Sequence, residues 1–589
     1  MLNAGSMEVS DVDSVIGSTG SDELTLAAQS TLSVSGVETV LGSSLGDVLT
    51  LLTAGAVAIS DVASVLGSNG ADAVTLLAAG TTAVSSVETI IGSSGSDEVQ
   101  MLAAGTLKVS GVESVLGSAA RTEVVQLLEA GDSLEVSDIN TVIGTTDTTE
   151  VVTLLAAGTL AVSAIDSVVG TTGADTVAML AGGSLSASDV ETVLGSTGTD
   201  VVSLDNAGNL AISRVESVIG SAGDTTETVT LLTSGSVAVS DIDTVLGTVA
   251  TTDAVTMLAT GTLAVSAIDT VIGSAASTDE LSLLSAGTVK VSDVETVTGA
   301  TAQAEVLQLL NAGSLTISDI DTVIGSTGAD TLTLGTTGTL VVSGIESVIG
   351  TSDTTDVVQL LTSGAITVSG VDTVVGTSGV NDVVTLGTTG ALAVDRIDTV
   401  IGSTDSTDAL TLLSGGLVRV SDIESVIGDT TLTEVVQMLA AGTVGVSDIA
   451  TVLGSTGTDQ ISLLAEGTLA VSGVESVLGS TDTGDVLTLL GGGSVIVEDV
   501  DSIIGQAGQT ETLTLAGTAA SISVSAIDSV VGSTDTSESV TLLASGNISL
   551  QDVENLTGTG QTTDVALLIG NGATLTVSDV ASVIGSTGT

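Results

Sequence analysis

The chain has 589 residues, no Cys, His, Pro, Trp, Tyr or Phe, and 6 Lys or Arg against 71 Asp or Glu, for a formal charge of −65. This excludes a Ser-His-Asp triad, a thiol nucleophile, Cys/His zinc sites and haem ligation, and so acidic a chain cannot neutralise a nucleic-acid backbone. Apolar residues make up 43% of the chain and mean hydropathy is +0.64, which is far from the composition of disorder.

Read from the amino end, MLNAGSMEVS has neither a basic n-region nor a long apolar h-region, so no cleavable secretory signal is expected. No apolar run reaches the roughly 18 residues of a membrane helix, and a membrane barrel would want aromatic girdles; membrane insertion is not expected. The chain is one phrase repeated from end to end. From Leu154 it reads LLAAGTLAVSAIDSVVGTTGADTVA, and from Met179 MLAGGSLSASDVETVLGSTGTDVVS. A glycine marks each of 23 copies, from Gly17, Gly42 and Gly67 to Gly585. The period is about 25–27 residues, within the range of solenoid repeats.

Three short apolar runs fill each copy. Around Gly170 they are Thr159 to Ser163, Ile165 to Val169 and Asp175 to Leu180. They are rich in Val, Ile, Leu and Thr, the first alternates with period two, and Gly/Ser/Thr-rich pieces separate them, which predicts strands and turns. The spacing predicts an all-β fold: a single long parallel β-solenoid over residues 1–589, with about 23 coils of about 25–27 residues, roughly three strands per coil and no obvious caps. In that arrangement each strand pairs with its own copy in the next coil. Rings would not fit so narrow an interior in every coil, and Pro would delete ladder hydrogen bonds. Length varies after the repeated glycine, so that corner is expected to be an exposed loop.

Carboxylates fall in two columns. One lies in the second run: Asp13, Glu38, Glu88, Glu113 and onward to Glu554, acidic in 19 of 23 copies. The other ends the corner: Asp22, Asp47, Asp72, Asp97, Glu123 and onward to Asp564, acidic in all 22 corners between repeats. Identical coils would stack these into lines of like charge about 4.8 Å apart, which repel unless they fan outward or share divalent cations; oxygen-rich ligand sets suit Ca²⁺. A solvated acidic face that keeps the protein soluble is the other reading.

Seven corners read G-[ST]-x-G-x-D, ending at Asp22, Asp72, Asp97, Asp175, Asp200, Asp330 and Asp459. This phrase resembles the repeats of RTX (hemolysin-type calcium-binding) proteins, whose G-G-x-G-x-D-x-U-x nonapeptide binds Ca²⁺ in the turns of a parallel β-roll. The resemblance implies that these seven Asp are Ca²⁺ ligands, and that export to the cell exterior or surface uses a type I-like route without a cleaved N-terminal signal. The motif here occurs once per repeat rather than in tandem, and corners such as GSAARTE lack the second glycine.

Nearly every repeat offers the same groups, so no unique constellation points to an enzyme. The ends, MLNAGSMEVS and VIGSTGT, lie inside the phrase. The expectation is a self-assembling structural subunit of an extracellular filament, sheath or surface layer, stacked head to tail and stabilised by calcium. The alternative is the stalk of a secreted adhesin, or an ice- or ligand-binding rod.

Overall fold

Alternation of apolar and small polar residues shapes every strand of the computed structural model. It describes residues 1–585 apart from 45, 147–148, 222, 224–225, 251, 277, 380, 406, 519–520 and 571–573. The last corner of the sequence thus lies mostly outside the described residues. The first strands are β1 (Gly5–Val9), β2 (Ser14–Ile16), β3 (Asp22–Leu26), β4 (Thr31–Ser35), β5 (Thr39–Leu41), β6 (Asp47–Leu51) and β7 (Ala56–Ser60). In β4 the side chains of Leu32 and Val34 are buried between exposed or half-buried neighbours, in β5 Val40 is, and in β6 Leu49 and Leu51 are. No helix occurs among the described residues.

The fold class is as expected, an all-β parallel solenoid, but the coil is not the repeat. Strand β1 pairs with β3, β3 with β5 and β5 with β7, all parallel, in one sheet. Strands β2, β4 and β6 pair in the same way in a second sheet. A coil therefore holds two strands. Gly5 faces Asp22, Glu23 faces Thr39 and Thr39 faces Ala58, so each coil spends well under one repeat of chain. Since β7 is the third copy of β1, two repeats make three coils. The expected 23 coils, each a whole three-stranded repeat with every strand on its own copy, are replaced by a larger number of two-stranded coils. Each sheet cycles through the first, third and second strand types of the repeat.

The reason is packing. All three strand types present the same alternating apolar face, so any of them can lie on any other. Two facing sheets bring these faces together: Val40, Leu107, Val125 and Val142 are all fully buried.

The described residues form two compact units, Met1–Glu295 and Thr296–Thr589. Each is a solenoid of this kind. In the second unit Ser314 faces Thr331, Thr331 faces Ser347 and Ser347 faces Thr367, which is the same cycle of strand types.

Between the first and second strand of each repeat sits one residue in the left-handed region, at Asp11, Gly36, Asp61, Ser86, Gly111, Asp138, Ala164 and onward to Asp579, with φ between 52° and 66°. The chain reverses there in a single step. Asp and Gly tolerate this conformation, whereas Ala has no side-chain hydrogen bond to compensate. Ala164, at φ 52°, is therefore strained, and Ala164→Gly should raise stability by up to about 1 kcal/mol despite the freer unfolded chain. Ala164→Val should lower it. Chemical denaturation of the two variants beside the parent checks both signs.

Candidate functional site: the two acidic columns

The corner glycine fixes where the carboxylates sit. At Gly325 the N–H donates to the Ser343 carbonyl of the next coil at 2.8 Å. A Cβ on Gly325 would lie 1.8 Å from the carbonyl oxygen of left-handed Gly344. The same holds for each such glycine from Gly17 to Gly558, where that carbonyl oxygen would be 1.6–2.4 Å away. The second glycine of the seven motif corners is also a contact. A Cβ on Gly328 would meet the Ala312 methyl at 2.5 Å, and one on Gly457 the Ala441 methyl at 2.3 Å.

The acid that ends the corner points inward. Asp22, Asp72, Asp97, Asp175, Asp200, Asp330 and Asp459 are each 0–1% exposed, and so are the other fifteen corner acids. This corrects the expected exposed loop: its last residue is sealed beneath its own turn and the neighbouring coils. Asp330 shows why burial is tolerable. Its Oδ2 accepts from Ser326 N–H at 2.6 Å, and its Oδ1 from Gly313 N–H of the preceding coil at 3.2 Å and the Ser326 hydroxyl at 3.2 Å. Its own N–H donates to Glu346 Oε2 of the following coil at 2.8 Å. One residue thus links three successive coils.

The pattern recurs. Backbone N–H groups reach the carboxylates of Asp72, Asp97, Asp175, Asp200 and Asp459 from Ser68, Ser93, Thr171, Ser196 and Ser455 at 2.5–2.6 Å, and Ser18 does so for Asp22. Glycine N–H groups of the preceding coil reach Asp72, Asp175 and Asp459 at 3.0–3.3 Å. In turn, the N–H groups of these six Asp donate to Glu38, Glu88, Glu113, Glu191, Glu216 and Glu475 at 2.7–2.8 Å. Charge-assisted bonds of this sort are the strong ones.

The two columns are therefore one device. From Glu38 onward, each second-run acid is the partner of the corner acid sixteen or seventeen residues before it, an association that the repeat phrase alone does not reveal. Lines of like charge at one-coil spacing do not form, because strands of one type recur only every third strand in a sheet. That is about 14 Å, beyond the roughly 8 Å screening length at physiological salt.

Corner length and acid identity move together. All eight corners with five residues from Gly to acid end in Asp, while the seven that end in Glu are longer: Glu123, Glu150, Glu227, Glu305, Glu434, Glu511 and Glu538. Their partners are Asn140, Asp166, Asp243, Asp321, Ala450, Asp528 and Glu554, so six of the seven partners are shorter than Glu; nine of the fifteen Asp corners have Glu there. Long faces short because both side chains share one space. The glutamates are held less well. Six accept a corner N–H at 3.1–3.3 Å, against 2.5–2.8 Å for aspartates such as Asp72 and Asp382. Burial pushes Glu123, Glu305 and Glu511 up, whereas at Glu150 and Glu538 hydrogen bonds outweigh burial and hold the carboxyl down. Asp564 is also held low by the Thr559 hydroxyl and backbone N–H groups.

A Ca²⁺ ion takes six to eight oxygens. At Asp72, Asp175, Asp200, Asp330 and Asp459 both carboxylate oxygens already accept protein hydrogen bonds. Asp22 and Asp97 each keep one buried oxygen without a partner. No group of three or more potential metal-ligating acids gathers among the described residues. Each position of the G-[ST]-x-G-x-D phrase has a packing or hydrogen-bonding task in coil stacking. No family model, curated protein or solved structure matches the chain.

Proposed function

We propose that the chain is a structural β-solenoid, a building block of an extracellular or cell-surface assembly. The observation that carries this reading is the use made of its polar chemistry. The most distinctive side chains, the 22 corner acids, are buried and bonded to neighbouring coils, and their partners repeat along the chain rather than converge on a cleft. What remains outside is hydroxyl-rich and acidic, with leucines exposed at intervals along it, as at Leu52, Leu77 and Leu155. With 6 Lys or Arg and no aromatic residue in 589, the surface gives trypsin- and chymotrypsin-like proteases few sites, which suits an exposed position. An RTX-like origin and type I-like export belong to the same reading and rest on the G-[ST]-x-G-x-D phrase.

Assembly would use strand edges. Open edges template further strands, and a second copy is the occupant proposed here, head to tail, a contact that does not close and so makes fibres. Electron microscopy of the purified protein tests this. Filaments support it, and discrete particles at every protein concentration overturn it.

Divalent cations enter this reading as counter-ions of a chain with charge −65, held loosely by the outer carboxylates rather than in corner sites. Titrating Ca²⁺ at fixed ionic strength should therefore give no saturable rise in melting temperature. A saturable rise at a stoichiometry near one ion per motif corner would restore the RTX-type site and its seven Asp ligands.

A further inference from the structure

The glutamate corners contain a polar group that the coil-stacking network does not satisfy. Six of the seven keep a buried oxygen with no hydrogen-bond partner: Glu123, Glu227, Glu305, Glu434, Glu511 and Glu538, all 0% exposed. Only three of the fifteen aspartate corners do so, Asp22, Asp97 and Asp356. At three of these corners the glycine N–H of the preceding coil bonds elsewhere: Gly105, Gly416 and Gly493 donate to the carbonyls of Thr122, Thr433 and Thr510, as Gly183 does to Thr199 beside Asp200. Five of the seven glutamates have an acid as their second-run partner; Glu123 and Glu434 have Asn140 and Ala450.

At Glu511 the N–H donates to Asp528 Oδ2 at 3.1 Å, Oε1 accepts from Gln506 N–H at 3.2 Å, and the free Oε2 belongs to a carboxyl that lies against that of Asp528. Glu538 with Glu554 and Glu305 with Asp321 are arranged alike; Glu150 also faces Asp166, but both of its oxygens accept, from Thr145 and from Thr149 N–H. Two carboxylates in contact, one of them sealed from water, cannot both stay ionised cheaply, and a single proton satisfies the free oxygen and the repulsion together.

We propose that these glutamate corners are proton-binding sites, each holding one proton between two carboxyl groups, so that mild acid tightens the solenoid rather than loosening it. Burial, then contact with its partner, raises Glu511; contact with Glu538, then burial, raises Glu554; burial, then contact with Glu150, raises Asp166. The charged groups facing the sites are acids. Asp528 faces Glu511, whose other neighbouring strand offers Gly493; Glu554 faces Glu538; Asp166 and, from the coil before, Asp132 face Glu150; and Asp321 faces Glu305. Glu150 and Glu538 shift the other way: against burial, hydrogen bonds with Thr145 and Asp166 and with Glu554 and Ser533 lower them, so in those two pairs the proton sits on the partner acid. Because the folded values of the raised groups exceed the unfolded ones, their stabilisation is complete below the unfolded value, about pH 4. It is lost as pH climbs through the folded values.

The test compares two variants that remove the same charge. E150Q/E305Q/E511Q/E538Q replaces each site with an amide that donates to the partner carboxylate at any pH. E8Q/E98Q/E135Q/E466Q removes four acids that lie away from these sites. Melting is followed from about pH 5 to about pH 8, above the ordinary carboxylate range, at constant salt. The parent should melt higher at the acid end. The first variant should melt higher than the parent at about pH 8 and show a flatter profile, while the control should keep the parent's slope. Infrared spectra of the parent near neutral pH should show a protonated-carboxyl band that the first variant loses. Equal slopes in both variants, or no such band in the parent, would overturn the proposal.

Discussion

Replacing Gly454 with alanine should cost about 3 kcal/mol or more, the upper range for overpacking. Its Cβ would stand 1.9 Å from the Gly473 carbonyl oxygen and 2.8 Å from Asp459 Oδ2. No rotamer relieves a clash between Cβ and backbone. The coils would have to part, and parting them stretches the bond from Gly454 N–H to the Ser472 carbonyl, now 2.8 Å. Solenoid stability resides in nearest-neighbour interfaces, so protection from hydrogen exchange should be lost around residues 450–475 before the rest of that unit. Gly313→Ala is the matched control: nothing lies within 4 Å of its Cβ and its φ is not positive. It should be neutral or stabilising by about 0.4–1 kcal/mol. Equal losses at both positions would show that the glycine is kept for chain flexibility and not for space.

Asp330→Ala should be nearly as damaging, at about 2–5 kcal/mol. It removes the carboxylate that accepts from the Ser326 and Gly313 N–H groups, and a hydrogen bond to a charged group contributes about 1.5–3 kcal/mol. Asp330→Asn keeps the volume but turns one acceptor into a donor facing an N–H, so it should recover only part of the loss. Glu346→Gln removes the charge from the outer partner while keeping an oxygen for Asp330 N–H. Because Glu346 is exposed, the change should cost less than about 1 kcal/mol. Urea unfolding of the three variants orders them. If Glu346→Gln proved the worst, the anchor would be the outer acid and not the buried one.

Strand content, parallel stacking and the narrow interior were legible in the sequence, because alternation in segments such as TLAVS and a composition without rings constrain little else. Coil length was not. Leu160 and Val162 of one strand type, Val168 of the next and Val177 and Met179 of the third present the same buried face, so the phrase fixes which side is inside but not which strand lies on which. The site was legible as two columns of acids and illegible as pairs. Asp330 ends a run of small polar residues and reads as solvated. Its burial follows from two close approaches, Gly325 on the Gly344 carbonyl and Gly328 on the Ala312 methyl, which depend on a coil shorter than the repeat. The left-handed step carried a signal in the recurring Ser-Asp or Ser-Gly before Val or Ile, as at Asp319 and Gly344, of the kind that favours positive φ.

Because one phrase advances the chain by one and a half turns, adding or losing a single copy through duplication or deletion reverses the side on which everything downstream emerges. The first β-segment of a copy lies in one ladder in odd copies and in the opposite ladder in even ones. The interior accepts either parity, so length drifts freely in single copies as far as folding is concerned. Anything attached to the outside, such as a glycan, keeps its orientation only when copies are gained or lost in pairs.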